Sequence, residues 1–427
     1  MAVNDLADER AAAAARSVTA VTVVSVFGIL YAAQGFTASL AQFVLPSILR
    51  DKGVPLAQIG LTYLLFSPLV LKPFWAPAMD RWSMGLATRR LAVIHLCQVS
   101  LVLIFLCAAL LNPENLSQAF NPAWMAAALL IVMVVIASQD ISTDALAIEA
   151  VPTNRRGVAG STQVAGTYLG YVLGSSAWLP LYVAFGWSVA MGVLAFILAV
   201  LTAVVKVTSG SLSAPAFRVE NHPAPSLLGA LRRPQLVTGI GFLVLYQLGG
   251  RLAASLLGPF MIDAGLSLAT VSWVVGIGTV IAGICGAVIG PIFIRGLGVS
   301  RFLCLFALLH AACVVGLWGV AIGKPSCAVE AIIVLVILES ALFALAYVGL
   351  FVKMMGWCAA HQAGTDFSLL QSVDSALAIG AGLGASLVAG VIGYSLVFLL
   401  SAFLLVAAAI VAFAAGRPAA ATPHHIS

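Results

Sequence analysis

The chain has 427 residues, of which 62% are hydrophobic and only 8% charged, with a formal net charge of +5 and a mean hydropathy of +1.11. That balance excludes a soluble globular domain, which has no use for so much apolar surface. Apolar runs of 18 or more residues recur along the whole length, and inside a bilayer each run must satisfy its own backbone polar groups. The expected class is an all-α polytopic membrane protein.

In chain order, the opening stretch MAVNDLADERAAAAARS mixes charges of both signs with alanine and leads straight into a spanning run. It reads as a cytoplasmic N-terminal segment, 1–17, before a retained first helix. Runs bounded by charge, Pro and Gly clusters predict helices over 18–49, 56–78, 91–111, 123–150, 158–184, 187–207, 235–262, 268–293, 302–322, 329–353, 366–391 and 395–416. Twelve spans place both termini on one side. Fifteen of the twenty Lys and Arg residues, from Arg10 to Arg417, fall on that side, against Arg50, Lys52 and Lys324 on the other. Basic loops stay in the cytoplasm, so both termini are expected there and the positive charge reports orientation.

The Ser- and Pro-rich stretch between spans six and seven predicts a linker, 208–234, joining an N-terminal bundle, 18–207, to a C-terminal bundle, 235–416, with a tail at 417–427. The halves resemble each other. RDKGVPLA (50–57) parallels IDAGLSLA (262–269), and Gln34 to Pro46 has the spacing of Gln247 to Pro259. Gly157 and FGWS (185–188) share an offset with Gly364 and IGYS (392–395). Two similar six-helix halves are the pattern of secondary transporters that hold their cargo between the halves near the midplane.

A formal charge at the centre of a span costs on the order of 3 kcal/mol on insertion scales, so each must face protein or water. Asp140 and Asp144, four apart, share one face of span four. Lys72 lies eight residues before Asp80, and Asp144 eight before Pro152, which puts Lys72 level with the acid pair. An ion pair from Lys72 to either acid fits proton coupling or gating; a snorkelling lysine and a capped inner gate fit as well. Glu149 points elsewhere, beside the basic loop. Arg251, near the middle of span seven and one turn after Gln247, is the candidate for binding a cargo anion through its planar fork. The other reading pairs it with Glu339 or Asp374 to hold the second half together. His95 and His310 read as packed histidines, and Gly166, Gly170 and Gly174 as a close-packing face.

The seven cysteines lack CxxC spacing and read as core thiols, with no metal site. GVAIGKPS lacks the full phosphate-loop pattern, and neither HExxH nor GxSxG occurs, so no enzyme is expected and an ion or solute gradient must drive transport. No cofactor and no nucleic-acid partner is implied; the expected partners are a small-molecule cargo, protons and membrane lipid, with the chain acting as a monomer.

LKPFWAPAMDRW with the following Arg89 and Arg90, SQDISTDALAIEAVPTNRRG, and AGTDFSLLQS resemble muropeptide permeases of the AmpG type, a branch of the major facilitator superfamily. The resemblance implies twelve transmembrane helices in two pseudo-symmetric six-helix bundles and proton-driven import across the bacterial inner membrane by alternating access. It assigns roles to Lys72, Asp80, Arg81, Gln139, Asp140 and Asp144, with Asp80, Arg81, Arg89 and Arg90 as the cytoplasmic gate. In length the chain looks more similar to a sister group, permeases for rhizobactin- or pyochelin-type siderophores, with acetyl-coenzyme A carriers more distant. The expected cargo is therefore a siderophore, as its ferric complex, with cell-wall anhydromuropeptides as the alternative and a transport-dead sensor as a third reading. Gln34, Gln247 and Arg251 are the expected cargo contacts; Lys72, Asp140, Asp144, Glu339 and Asp374 are the expected coupling or gating groups.

Overall fold

A computed structural model describes residues 19–41, 64–83, 86–111, 122–212, 223–271, 273–274, 278–323 and 329–414. The segments 1–17 and 417–427, Pro46, Arg50, Lys52, RDKGVPLA, Lys324 and the linker centre at 213–222 lie outside the described residues.

The described chain is helical throughout, with no strand among the described residues. In order the helices are α1 (Ala20–Ser39), α2 (Ser67–Leu71), α3 (Ala76–Ser83), α4 (Ala87–Leu110), α5 (Pro122–Ala150), α6 (Arg156–Val172), α7 (Trp178–Thr208), α8 (Leu227–Leu231), α9 (Pro234–Asp263), α10 (Leu268–Val271), α11 (Thr279–Leu297), α12 (Val299–Ile322), α13 (Val329–Trp357), α14 (Ala363–Ile392) and α15 (Tyr394–Ala414). Ten helices among the described residues are long and apolar enough to cross a membrane. The described parts of the two remaining expected spans are helical but interrupted, and the fold is that of two pseudo-symmetric six-helix bundles.

Two expected spans are corrected. The span predicted over 56–78 is broken: α2 gives way to a 3-10 turn at Lys72–Phe74 and then to α3. Pro68, Pro73 and Pro77 explain this, since each removes a backbone donor and crowds the preceding turn. Asp80, expected in a loop, therefore sits inside α3. The span predicted over 158–184 runs as α6, a π-turn at Leu173–Ala177 and the start of α7. Of the span predicted over 268–293, α10 and α11 are described, and residues 272 and 275–277 between them lie outside the described residues. The linker also carries structure, a 3-10 turn at Ser209–Leu212 and α8, whose start is capped by Ser226.

The repeat seen in sequence has a backbone counterpart. Gly186 (φ 78) and Gly393 (φ 86), the glycines of FGWS and IGYS, each turn the chain between consecutive spans in a conformation that disfavours a Cβ. The glycine face of α6 and the π-turn packs against α1 as expected. A Cβ at Gly170 would lie 2.3 Å from the Ala32 carbonyl oxygen, and one at Gly174 2.7 Å from that of Phe36.

The apolar core is arranged in a way that positions the site. One cluster, with Phe36, Phe105, Met133, Trp178 and Leu198, belongs wholly to the first half. Another, with Leu256, Phe260, Leu317 and Phe398, belongs wholly to the second. A third joins the halves, bringing Phe27, Ile94 and Leu146 together with Phe302, Phe351 and Phe367. The shared cluster lies toward the end of the bundle that carries Arg81, Arg89, Arg90, Arg155 and Arg156, here called the basic end. The core is thus continuous at the basic end and divided at the other.

Candidate functional site

Between the halves lies a cavity of about 330 Å³, walled by Tyr31, Gln34, Lys72 and Asp140 from the first half and by Arg251, Phe343, Tyr347, Gln371 and Asp374 from the second, with Tyr168 and Tyr171 on α6. Its position follows from the helices that meet there. The 3-10 turn forced by the prolines presents Lys72, α5 presents Asp140, α9 presents Arg251, and α14 presents Gln371 and Asp374 one turn apart.

Lys72 is buried, at 2% exposure. Its ammonium donates to Asp140 Oδ2 and, across the cavity, to Gln371 Oε1 of the other half. Of the two acids expected beside it, the structure pairs it with Asp140. Asp144, one turn further, is buried and accepts a hydrogen bond from the Tyr31 hydroxyl at 2.6 Å. The lysine therefore does not snorkel; it links a carboxylate of one half to an amide of the other.

In the second half, Arg251 donates to Asp374 from Nε at 3.1 Å and from Nη2 to both carboxylate oxygens at 2.7 Å. Gln247 Nε2 and the Tyr347 hydroxyl, the latter at 3.2 Å, also donate to Asp374, and the Phe343 ring lies 5.7 Å from the guanidinium carbon. The sequence left open whether Arg251 pairs with Glu339 or Asp374; it pairs with Asp374. Glu339 instead accepts from His310 Nε2 at 3.2 Å, both buried behind the Phe343 ring. His310, which stands alone in its span in the sequence, thus has a partner on α13. Gly249 and Gly250 leave α9 unbroken. They let Ser401, Leu405 and the Phe343 ring pack closely against it.

At the basic end, Arg90 is buried between Asp80 at 2.7 Å and Glu149 at 2.8 Å. Asp80 Oδ2 accepts from Thr365 of the other half through both its backbone N–H (2.7 Å) and its hydroxyl (2.6 Å). A Cβ on neighbouring Gly364 would lie 2.6 Å from Asp80 Oδ1, so glycine is what allows α14 to approach. Arg81 donates twice to the Pro225 carbonyl of the linker, at 3.0 and 2.9 Å. Arg233 pairs with Asp366 and donates to the Trp357 carbonyl at 2.7 Å. Arg89 stays on the surface, donating to the Trp82 carbonyl at 2.7 Å and lying over its ring.

Of the residues named from sequence, the structure brings Lys72, Asp140, Arg251 and Asp374 together around one cavity, with Gln34 in its wall and Gln247 supporting Asp374; Asp144, on Tyr31, and Glu339, on His310, stand outside the lining. Sequence reasoning missed Tyr31, Tyr168, Tyr171, Phe343, Tyr347 and Gln371. Their signal was faint: aromatic and amide side chains recurring at three- and four-residue spacing, as in Tyr168 with Tyr171, Phe343 with Tyr347 and Gln371 with Asp374. Thr365, Arg233 and Asp366 at the basic end were also missed: Thr365 and Asp366 lie in the quoted AGTDFSLLQS, but only the fold shows that they meet Asp80 and Arg233.

The Major Facilitator Superfamily model matches residues 27–373. The chain is 29% identical over 304 residues to the anhydromuropeptide permease of Escherichia coli (strain K12), a match covering 68% of this chain and 59% of the permease. It is 28% identical over 305 residues to an uncharacterized protein of Haemophilus influenzae, covering 68% of this chain and 70% of that one. Among solved structures, the human organic anion transporter MFSD10 (TETRAN) superposes with a TM-score of 0.70 at 15% identity, over 92% of this chain and 100% of the other. A variant of the E. coli fucose:proton symporter FucP superposes at 0.65 with 14% identity, over 93% and 98%. At such identities the structural likeness is one of fold. Helices, repeat and family match agree: this chain belongs to the Major Facilitator Superfamily, and it has that family's multi-pass helical membrane fold.

Proposed function

We propose that this protein is a proton-coupled importer of the bacterial inner membrane whose cargo is a cell-wall anhydromuropeptide. The observation that carries the reading is the cavity between the halves, whose wall holds two cation–carboxylate pairs, Lys72 with Asp140 and Arg251 with Asp374, among aromatic rings. A guanidinium fork reads a carboxylate, and tyrosine and phenylalanine faces hold sugar or ring groups. The relative named as an anhydromuropeptide permease supports this cargo over the ferric siderophore that chain length favoured. Orientation rests on the excess of basic residues at one end, which places that end and both termini in the cytoplasm. The continuous core at that end supports a state closed toward the cytoplasm, and alternating access would require that end to part.

One observation favours the siderophore as a second reading. A cavity of about 330 Å³ is at the small end for ligand sites, and a compact chelate fits it more readily than a sugar-peptide conjugate. Among the described residues no three His, Cys, Asp or Glu side chains gather as a metal site, so iron would enter inside its chelate. Labelled uptake in a strain lacking its own permeases separates the two. Accumulation of the anhydromuropeptide but not of ferric siderophores supports the first reading, and the reverse replaces it with the second.

A further inference from the structure

Gln139 stands beside Asp140 in the stretch that resembles the muropeptide permeases, yet it takes no part in the cavity wall. Along α5, Gln139, Ser142, Leu146 and Glu149 follow one another at three- and four-residue steps and share a face, while Asp140 and Asp144 lie on another. Gln139 and Ser142 are fully buried. Helix α4 packs against α5 and brings a third buried polar side chain, Gln98, at 3% exposure.

The Arg90–Glu149 pair fixes the register of these two antiparallel helices. At about 1.5 Å per residue, Gln98 lies about 12 Å along α4 from Arg90, and Ser142 and Gln139 lie about 10 and 15 Å along α5 from Glu149. The three side chains therefore occupy one level of the first half. Apolar layers bound that level on both sides: Ile94, Ala145 and Leu146 toward the basic end, and Leu101, Val132 and Met133 away from it. Both side-chain amide atoms of Gln98, both of Gln139 and the Ser142 hydroxyl are sealed from the surface, with no hydrogen-bond partner among the described residues. By contrast, Gln247 donates to Asp374 and Gln371 accepts from Lys72. Burial without a partner forfeits a polar group's hydration, so a whole layer of unmet donors and acceptors marks a site that something polar fills.

We infer that this layer encloses ordered water, which hydrogen-bonds α4 to α5 inside the first half. The donor set selects the ligand. Two primary amides and a hydroxyl offer donors and acceptors together, and water answers both. A cation would use the oxygens only, would meet two amide NH2 groups, and would find no free carboxylate. Asp140 is held by Lys72, Asp144 by Tyr31 and Glu149 by Arg90, on another face or at another level. Helix α5 is thus two-sided, with Asp140 on the cavity and Gln139 and Ser142 on enclosed water. Gln139 thereby has a role apart from the cargo.

Synchrotron X-ray radiolysis of the purified full-length protein tests this, because radicals formed from enclosed water oxidise buried neighbours that bulk water does not reach. Cys97, next to Gln98 and 8% exposed, is the reporter, and Met355, buried in the apolar core, is the dry reference. In wild type, Cys97 is expected to oxidise about tenfold faster than Met355 after correction for the intrinsic reactivity of the two side chains. The double variant Gln98→Leu with Gln139→Leu keeps the volume and removes the partners. It is expected to slow Cys97 oxidation at least about fivefold, and Ser142→Ala about twofold, with Met355 slow throughout. Should fast Met355 oxidation show the double variant to be misfolded, Ser142→Ala decides in its place. Cys97 oxidation no faster than that of Met355 in wild type overturns the inference and leaves the amides paired with each other. An unchanged Cys97 rate in the folded variants also overturns it. The measurement is repeated with choline in place of sodium and potassium. An unchanged rate supports water, and oxidation that appears only without those ions overturns the inference in favour of a bound cation.

Discussion

Lys72 is buried and Arg251 half-buried, each against a carboxylate, and the energetics of such pairs set what their substitution does. Removing one partner strands the other charge away from water, at a cost of about 3–5 kcal/mol, whereas removing both leaves a neutral site. Lys72→Met and Asp140→Asn should therefore each lower the melting temperature of the detergent-solubilised protein, and the double variant should regain most of the loss while remaining deficient in uptake. A double variant no more stable than the singles would show that the two charges are not an energetic unit. At Arg251 the same cavity predicts a geometric effect. Arg251→Lys keeps the charge but loses the planar fork, and Arg251→Ala loses both, so cargo affinity should fall further in Ala than in Lys; equal losses would mark the residue as a structural pair with Asp374 only. At this scale the sequence was legible where charge is rare. Lys72, Asp140, Asp144 and Arg251 stand out in an apolar run because nothing but function or pairing keeps them there. Tyr31 and Gln371 did not stand out, because a tyrosine or glutamine in a span is cheap to bury. Only the fold shows that Tyr31 meets Asp144 and Gln371 meets Lys72, across 113 and 299 residues of chain.

The second span shows how one element can mislead hydropathy. Averaged over a window, 56–78 reads as a continuous helix, but Pro68, Pro73 and Pro77 break it, and the 3-10 turn between the pieces is what carries Lys72 into the cavity. The prolines were visible; what the average hid was their combined effect on the backbone. The seam between α1 and α6 was legible because its glycines recur every fourth residue, and its tolerance can be predicted. Gly170→Ala places a Cβ 2.3 Å from the Ala32 carbonyl oxygen, backbone that cannot swing away, so the helices must separate. The expected cost is about 1–3 kcal/mol, read as a lower unfolding temperature. Gly241→Ala, in α9 with nothing within 4 Å of the added carbon, should instead hold or slightly raise stability through its gain in helix propensity. Equal behaviour of the two variants would contradict the close-packed seam.

For the molecule as a whole, the division of the core into a shared cluster at the basic end and separate clusters at the other corresponds, under the proposed function, to one state of an alternating carrier. A Cβ at Gly157 would lie 3.8 Å from Pro291 Cβ in the opposite half, the separation a disulfide prefers. In a variant with the seven native cysteines replaced, Gly157→Cys with Pro291→Cys should cross-link on oxidation, cut uptake more than tenfold and recover with reductant. Full uptake by the cross-linked protein would mean that this end does not part. The two-half plan was legible because the repeat leaves matched marks, such as Gly186 and Gly393. The closed state was not, because it rests on contacts such as Asp80 with Thr365, which only the assembled bundle brings together. The central claim, gradient-driven import through this cavity, is tested most directly with purified protein in proteoliposomes without ATP, following labelled anhydromuropeptide under an imposed pH gradient, acid on the side opposite the basic end. The account predicts accumulation above the outside concentration that a protonophore abolishes; uptake that only equilibrates, indifferent to the gradient, would contradict it.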